Sequence, residues 1–337
     1  MSLLEFIKKS PKAELHLHIE GSMEPELMFK LAERNKVKIP FTSIEEVRSA
    51  YEFNDLQSFL DIYYAGSEVL IQTQDFFDLT WAYLERVQKE NVRHVEIFFD
   101  PQTHTERGIS MQTVITGIRK ALKEAEQKFG MTSYLILCFL RDLSEESAFK
   151  TLQEALPFRG WIEGIGLDSS ELGFPPKKFE NVFAKATKEG FRKVAHAGEE
   201  GPPEYIWQAL DILGVSRIDH GVRCNEDKNL VRYLAKEKIP LTICPLSNIK
   251  LRVFENMECH NLKELLNSGI CVTINSDDPA YFGGYINDNF LATQKGLNLS
   301  KENIVEIAKN GFRASFLPEH SIKSHLNSID HLLEKDW

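Results

Sequence analysis

Residues 162–220 read IEGIGLDSSELGFPPKKFENVFAKATKEGFRKVAHAGEEGPPEYIWQALDILGVSRIDH. Three short apolar runs stand in this stretch: Ile162–Asp168, Lys193–His196 and Arg217–His220. Continuous apolar runs of this length fit strands buried on both faces, as in a parallel sheet. Between them, Phe179–Glu189 and Glu204–Leu213 repeat their apolar residues at helical spacing. Gly190 and Gly214 follow where C-capping glycines belong. Strand, helix, strand, helix, strand is the signature of an α/β fold with parallel strands.

The same alternation extends in both directions. Ala13–His18, Arg93–Phe99 and Ser133–Leu140 precede this stretch; Pro240–Cys244 and Ile270–Asn275 follow it. Helical patterns at Asp227–Lys238 and Asn261–Asn267 lie among the later runs, the second closed by Gly269. Eight strands separated by helices predict a (β/α)₈ TIM barrel, so that residues 1–337 form one domain. Residues 20–90 interrupt the rhythm with helical patterns at Pro25–Asn35, Ile44–Ser49, Leu56–Val69 and Asp75–Lys89. An insertion after the first strand sits over the active-site mouth. Leu56, Phe59 and Leu60 are then either an apolar underside closing on a flat ligand or simple packing against the barrel wall.

Composition narrows the class. The 337 residues carry 40 Lys+Arg against 50 Asp+Glu, a net charge of -10, which excludes a nonspecific nucleic-acid binder. The longest apolar run, Tyr134–Leu140, is far too short to span a bilayer, and the N-terminus has no secretory pattern. The five cysteines are scattered, without a C-x-x-C pair. They read as reduced thiols of a cytoplasmic protein.

The chemistry is written at the strand ends. His16 and His18 are two apart on the first strand and so face one side, the barrel interior. His196 ends the fifth strand with Glu199 three residues beyond, His220 ends the sixth, and Asp277-Asp278 follow the eighth. C-terminal strand ends of a barrel converge on one site, so these residues are spatial neighbours. Imidazoles and a carboxylate suit Zn²⁺ or another divalent transition metal, with a position left open for water. His16, His18, His196 and Asp277 supply three nitrogens and one oxygen, and the metal acidifies a bound water into a nucleophile near neutral pH. Glu199 is free to exchange a proton, His220 to orient the water and Asp278 to hydrogen-bond substrate. No lysine ends a predicted strand to bridge two metals, so a single ion per subunit is expected.

This constellation resembles the adenosine/adenine deaminase family of the amidohydrolase superfamily, over nearly the whole chain from Pro11–His18 to Asp277-Asp278-Pro279 and beyond. The resemblance implies that His16, His18, His196 and Asp277 ligate zinc. It implies that Glu199 protonates purine N1, that His220 stands beside the nucleophile, and that Asp278 bonds N7. It also implies that the backbone at Gly166, in Gly164–Asp168, approaches N3. Several segments resemble the adenine branch in particular: Glu96–Thr105, Leu167–Glu171, His196–Pro202, Arg217–Gly221 and Cys244–Asn248. Glu20 stands where adenosine deaminases carry a ribose-contacting Asp, and its longer arm, with Ser169-Ser170, is expected to close off the ribose space. His104 is a candidate to support the site from behind.

Two decoys fail. His18-Ile19-Glu20 fits the H-x-E of the cytidine-deaminase zinc motif, but the required P-C-x-x-C is absent. Gly164-Ile165-Gly166 lacks the third glycine of a dinucleotide fingerprint. The expectation is therefore a zinc-dependent deaminase converting adenine to hypoxanthine and ammonia. Its partner is a small-molecule purine, not nucleic acid or membrane. Self-association is left open. The alternatives are deamination of adenosine or an N6-substituted adenine, a metal-dependent phosphoesterase or amidase, and a catalytically inactive binding barrel.

Overall fold

The computed structural model of the chain describes residues 1–336; Trp337 lies outside the described residues. Eight parallel strands run in the order β1 to β8: β1 Lys12–His18, β2 Val92–Phe99, β3 Thr132–Leu140, β4 Gly164–Asp168, β5 Arg192–Ala197, β6 Arg217–His220, β7 Leu241–Ile243 and β8 Val272–Ile274. Each matches an apolar run of the sequence within a few residues, and each is flanked by helices, giving the (β/α)₈ barrel. Gly190, Gly214 and Gly269 have φ of +80°, +64° and +85°, the left-handed conformation of a C-cap. The first strand meets the last through a bridge between Leu17 and Asp277. Two hydrogen bonds reinforce it, from His18 N to Asp277 O and from Asp277 N to His16 O, both 3.1 Å.

Between β1 and β2 stand helices Pro25–Asn35, Ile44–Ala50, Leu56–Ser67 and Thr73–Lys89. The third is started by Asp55, whose side chain accepts from Ser58 N at 2.8 Å. Phe59, Leu60 and Tyr63 on this helix form a satellite core with Tyr281 and Phe282, distinct from the main core. Among the described residues no helix is long and apolar enough to cross a membrane. All five cysteines are free thiols.

Inside the barrel, beneath the strand ends, lies a charged layer that the apolar pattern does not announce. Arg217 is completely buried, 2.5 Å from Glu96 Oε2 and 3.6 Å from Asp219 Oδ1, and it donates to Leu15 O at 3.1 Å. The neighbouring Arg217 guanidinium holds the Glu96 carboxyl below its ordinary range despite the burial that opposes this. Removing one member of such a network strands its partners as uncompensated buried charge. Arg217→Met should therefore cost about 3–5 kcal/mol of stability, read as a lowered denaturation midpoint in urea. A loss under 1 kcal/mol, the size of an exposed ion pair, would show that the layer is not a stabilising element.

Candidate active site

The C-terminal ends of the strands surround a small pocket. His18, His196, Glu199, His220, Asp277 and Asp278 line one side of it; Leu56, Phe59, Leu60, Tyr63 and Tyr64 from the third inserted helix line another. Backbone geometry aims several of these groups. His220 and Asp277 both have φ of +63°, a conformation costly for residues with a β-carbon and found where side chains must be pointed at a site. The loop bearing Glu199 is gripped by Glu171, whose carboxylate accepts the N–H groups of Gly198, Glu199, Glu200 and Gly201 at 2.7–3.0 Å. Gly21 lies directly against Asp278, where any β-carbon would overlap the carboxyl, so glycine alone leaves Asp278 its position.

Four donors converge. His16 Nε2 is 3.1 Å from Asp277 Oδ1, and His18 Nε2 is 3.1 Å from His196 Nε2 and 3.5 Å from the same Asp277 oxygen. One ligand atom from each of the four residues fits within 4.8 Å of the rest, and all four side chains are buried. The hydrogen bonds show what this cluster is built to hold. His16 Nδ1 lies 3.2 Å from the carbonyl of Thr242, which can only accept, so Nδ1 carries the proton. Thr242 Oγ1 gives its own proton to Asp219 Oδ1 at 2.7 Å and is 3.0 Å from the same imidazole nitrogen. His16 Nε2 is thereby left with a lone pair that faces a carboxylate, and it is buried without a hydrogen-bond partner. Two electron-rich atoms facing each other in a buried site call for a cation between them. Three nitrogens and an oxygen suit a divalent transition metal. Asp219 also lies 3.8 Å from His196 Nδ1, so one carboxylate backs two of the four ligands.

Around the cluster the titrating groups are arranged by burial. Glu199 is held well above the usual carboxylate range by burial and then by Asp277; the same two causes raise Asp278. Burial and the neighbouring His16 push the His220 imidazole down to about 3, so it is neutral at physiological pH. Its Nε2 stands 3.6 Å from Glu199 Oε1 and 3.7 Å from Asp277 Oδ2. A buried acid, a neutral imidazole and a metal-binding cluster thus face one small cavity.

The family profile described as adenosine deaminase matches residues 11–332. The chain belongs to the adenosine deaminase family. An adenine deaminase of Acinetobacter baylyi is 57% identical over 98% of this chain and 100% of its own length. The crystal structure of an adenine deaminase from Arthrobacter aurescens is 50% identical, with a TM-score of 0.95 over 96% of this chain and 99% of that one. An amidohydrolase from Burkholderia ambifaria with bound zinc shares the fold at 23% identity, with a TM-score of 0.90 over 99% and 94% of the two chains.

In this adenosine deaminase family barrel, eight of the ten site residues expected from sequence come together at the cavity: His16, His18, His196 and Asp277 in the cluster, with Glu199, His220, Asp278 and Ser169 around it. Two lie outside both the cluster and the cavity lining. Gly166 is inside β4, paired with Cys138, and does not line the cavity; a β-carbon there would overlap Cys138 Sγ. The glycine answers to that close approach. The residue of this segment at the cavity is Ser169, with φ of +71° and its Oγ 2.8 Å from Tyr64 OH. Glu20 is wholly buried outside the cavity lining, its carboxyl 2.8 Å from His104 Nε2. What the motifs leave out is a second acidic wall: Asp100 after β2 and Asp168 at the end of β4, both lining the cavity beside His18. The signal that marks Asp277, a carboxylate at the C-terminal end of a strand, marks them too.

Proposed function

We propose that this chain is a zinc-dependent adenine deaminase, hydrolysing the C6 amino group of adenine to give hypoxanthine and ammonia. One observation carries the reading: a buried acid and a neutral imidazole share a small pocket with a three-histidine, one-aspartate cluster. The 57% identity to an adenine deaminase along the whole of both chains supports the choice of substrate.

His16, His18, His196 and Asp277 would hold the ion, and the zinc-bound amidohydrolase of the same fold supports zinc as its identity. When bound, the metal supplies a water acidified enough to act as nucleophile near neutral pH. The chain's own groups do the rest. Glu199, kept in its acid form by burial, donates to purine N1 and draws electron density from C6. His220, neutral, orients the attacking water towards C6. Asp278 hydrogen-bonds N7, and the backbone at Ser169 faces the N3 edge. As the C6–N6 bond breaks, the amino group takes up a proton and leaves as ammonia. The helices of residues 20–90 are read as a lid on a single barrel domain, because Leu56, Phe59, Leu60, Tyr63 and Tyr64 line the cavity wall.

Purified zinc-loaded protein mixed with adenine, and separately with adenosine, decides the substrate by the change in ultraviolet absorbance. Conversion of adenine with far higher kcat/KM than adenosine is expected; preference for adenosine overturns the reading.

A further inference from the structure

Asp100 has no part in the reaction just described, yet its side chain is one of the most constrained at the cavity. It is 3% exposed, its Oδ2 accepts from Tyr63 OH at 3.1 Å, and its other neighbour of like kind is the Asp168 carboxyl, with which it shares a hydrogen bond. It precedes the short helix Pro101–Thr105 but makes no capping hydrogen bond there, so capping does not account for it. A carboxylate that lines a ligand cavity has more acceptor positions than Tyr63 and Asp168 occupy, and buried acceptors are costly when left incomplete, so a ligand N–H has a place to bind.

The order of the strands says which ligand atom reaches it. Going round the barrel from β5 by the side away from β6, the strand ends come as β4, β3, β2, β1 and then β8. Going round a purine from N1 away from C6, the atoms come as C2, N3, C4, N9, C8 and then N7. With N1 at Glu199 after β5 and N7 at Asp278 after β8, the N3 edge falls at β4, where Ser169 lines the cavity. N9 falls at β2, where Asp100 lines it.

We propose that Asp100, braced by Tyr63, accepts the N9–H of the free base and is the residue that selects a nucleobase over its nucleoside. The proposal rests on the adenine orientation given above. A free purine brings a donor to the Asp100 carboxyl. A nucleoside brings a carbon substituent instead, which gives the carboxyl no donor and crowds it. Sites built to hydrogen-bond a substrate N–H reject analogues lacking it by about 10⁴-fold or more.

The test compares adenine with 9-methyladenine, which keeps every ring atom except the N9 proton. Zinc-loaded wild-type protein should favour adenine by about 10⁴-fold in kcat/KM, and Asp100→Ala should shrink that preference by about 100-fold, losing far more with adenine. Asp100→Asn, whose amide oxygen still accepts, should recover much of the loss. Calorimetric binding of hypoxanthine against 9-methylhypoxanthine to the wild type needs no variant and should show the same preference for the free base. Equal losses on both substrates in Asp100→Ala, or equal binding of the two hypoxanthines, overturns the role of Asp100 while leaving adenine deamination standing. A wild-type protein that deaminates adenosine but not adenine overturns both.

Discussion

Glu199→Gln should lower kcat with adenine by about 10²- to 10⁴-fold while leaving bound metal unchanged. The amide is nearly isosteric and can still be positioned by the loop that Glu171 grips, so the loss isolates the proton rather than the packing. Glu199 lies outside the four-donor cluster, and metal analysis of the variant should match the wild type. The pH profile gives an independent check. Glu199 acts as an acid, and its buried carboxyl is raised above the ordinary range, so the working protonated form is lost as pH rises through that raised pKa. The wild-type rate should fall on that alkaline limb, and the variant's residual rate should not show it. A variant with near-normal turnover would assign N1 protonation elsewhere.

His196→Ala should abolish stoichiometric metal binding, and turnover with it. The residue supplies a buried nitrogen 3.1 Å from His18 Nε2. A ligand that binds only the folded state stabilises it by mass action, about 4 kcal/mol when free metal exceeds Kd a thousandfold. Chelator should therefore lower the Tm of the wild type substantially and leave that of His196→Ala nearly unmoved. Metal analysis of the dialysed variant reads the same loss directly. If the variant retained a full complement of metal, His196 would not be a ligand.

The barrel was legible because parallel strands covered on both faces read as unbroken apolar runs, and because a helix ending in glycine punctuates several of them. The clustering of His16, His18, His196 and Asp277 was legible because histidine is conspicuous and strand ends converge. A motif gives the order of residues along a strand but not the height at which the chain leaves the barrel. Thus Ser169 lines the cavity while Gly166, three positions earlier, packs within the strands against Cys138. The 3₁₀ turn Glu20–Ser22 likewise puts the Glu20 carboxyl beside His104 rather than in the cavity lining. The Arg217–Glu96–Asp219 layer could not be read from apolar pattern at all. Each of its members lies within an otherwise ordinary strand, and only the closed barrel brings β2 and β6 within reach of one another.

The seam where β1 meets β8 has a consequence for how the protein is made. Two of the four donors, His16 and His18, are synthesised with the first strand, whereas Asp277 follows only after the last strand. The same Asp277 makes the hydrogen bonds that join the first strand to the last. A growing chain therefore offers at most three of the four donors until the final strand docks. Completion of the four-donor cluster thus waits on closure of the barrel, and an ion held there would tie the two ends of the sheet together.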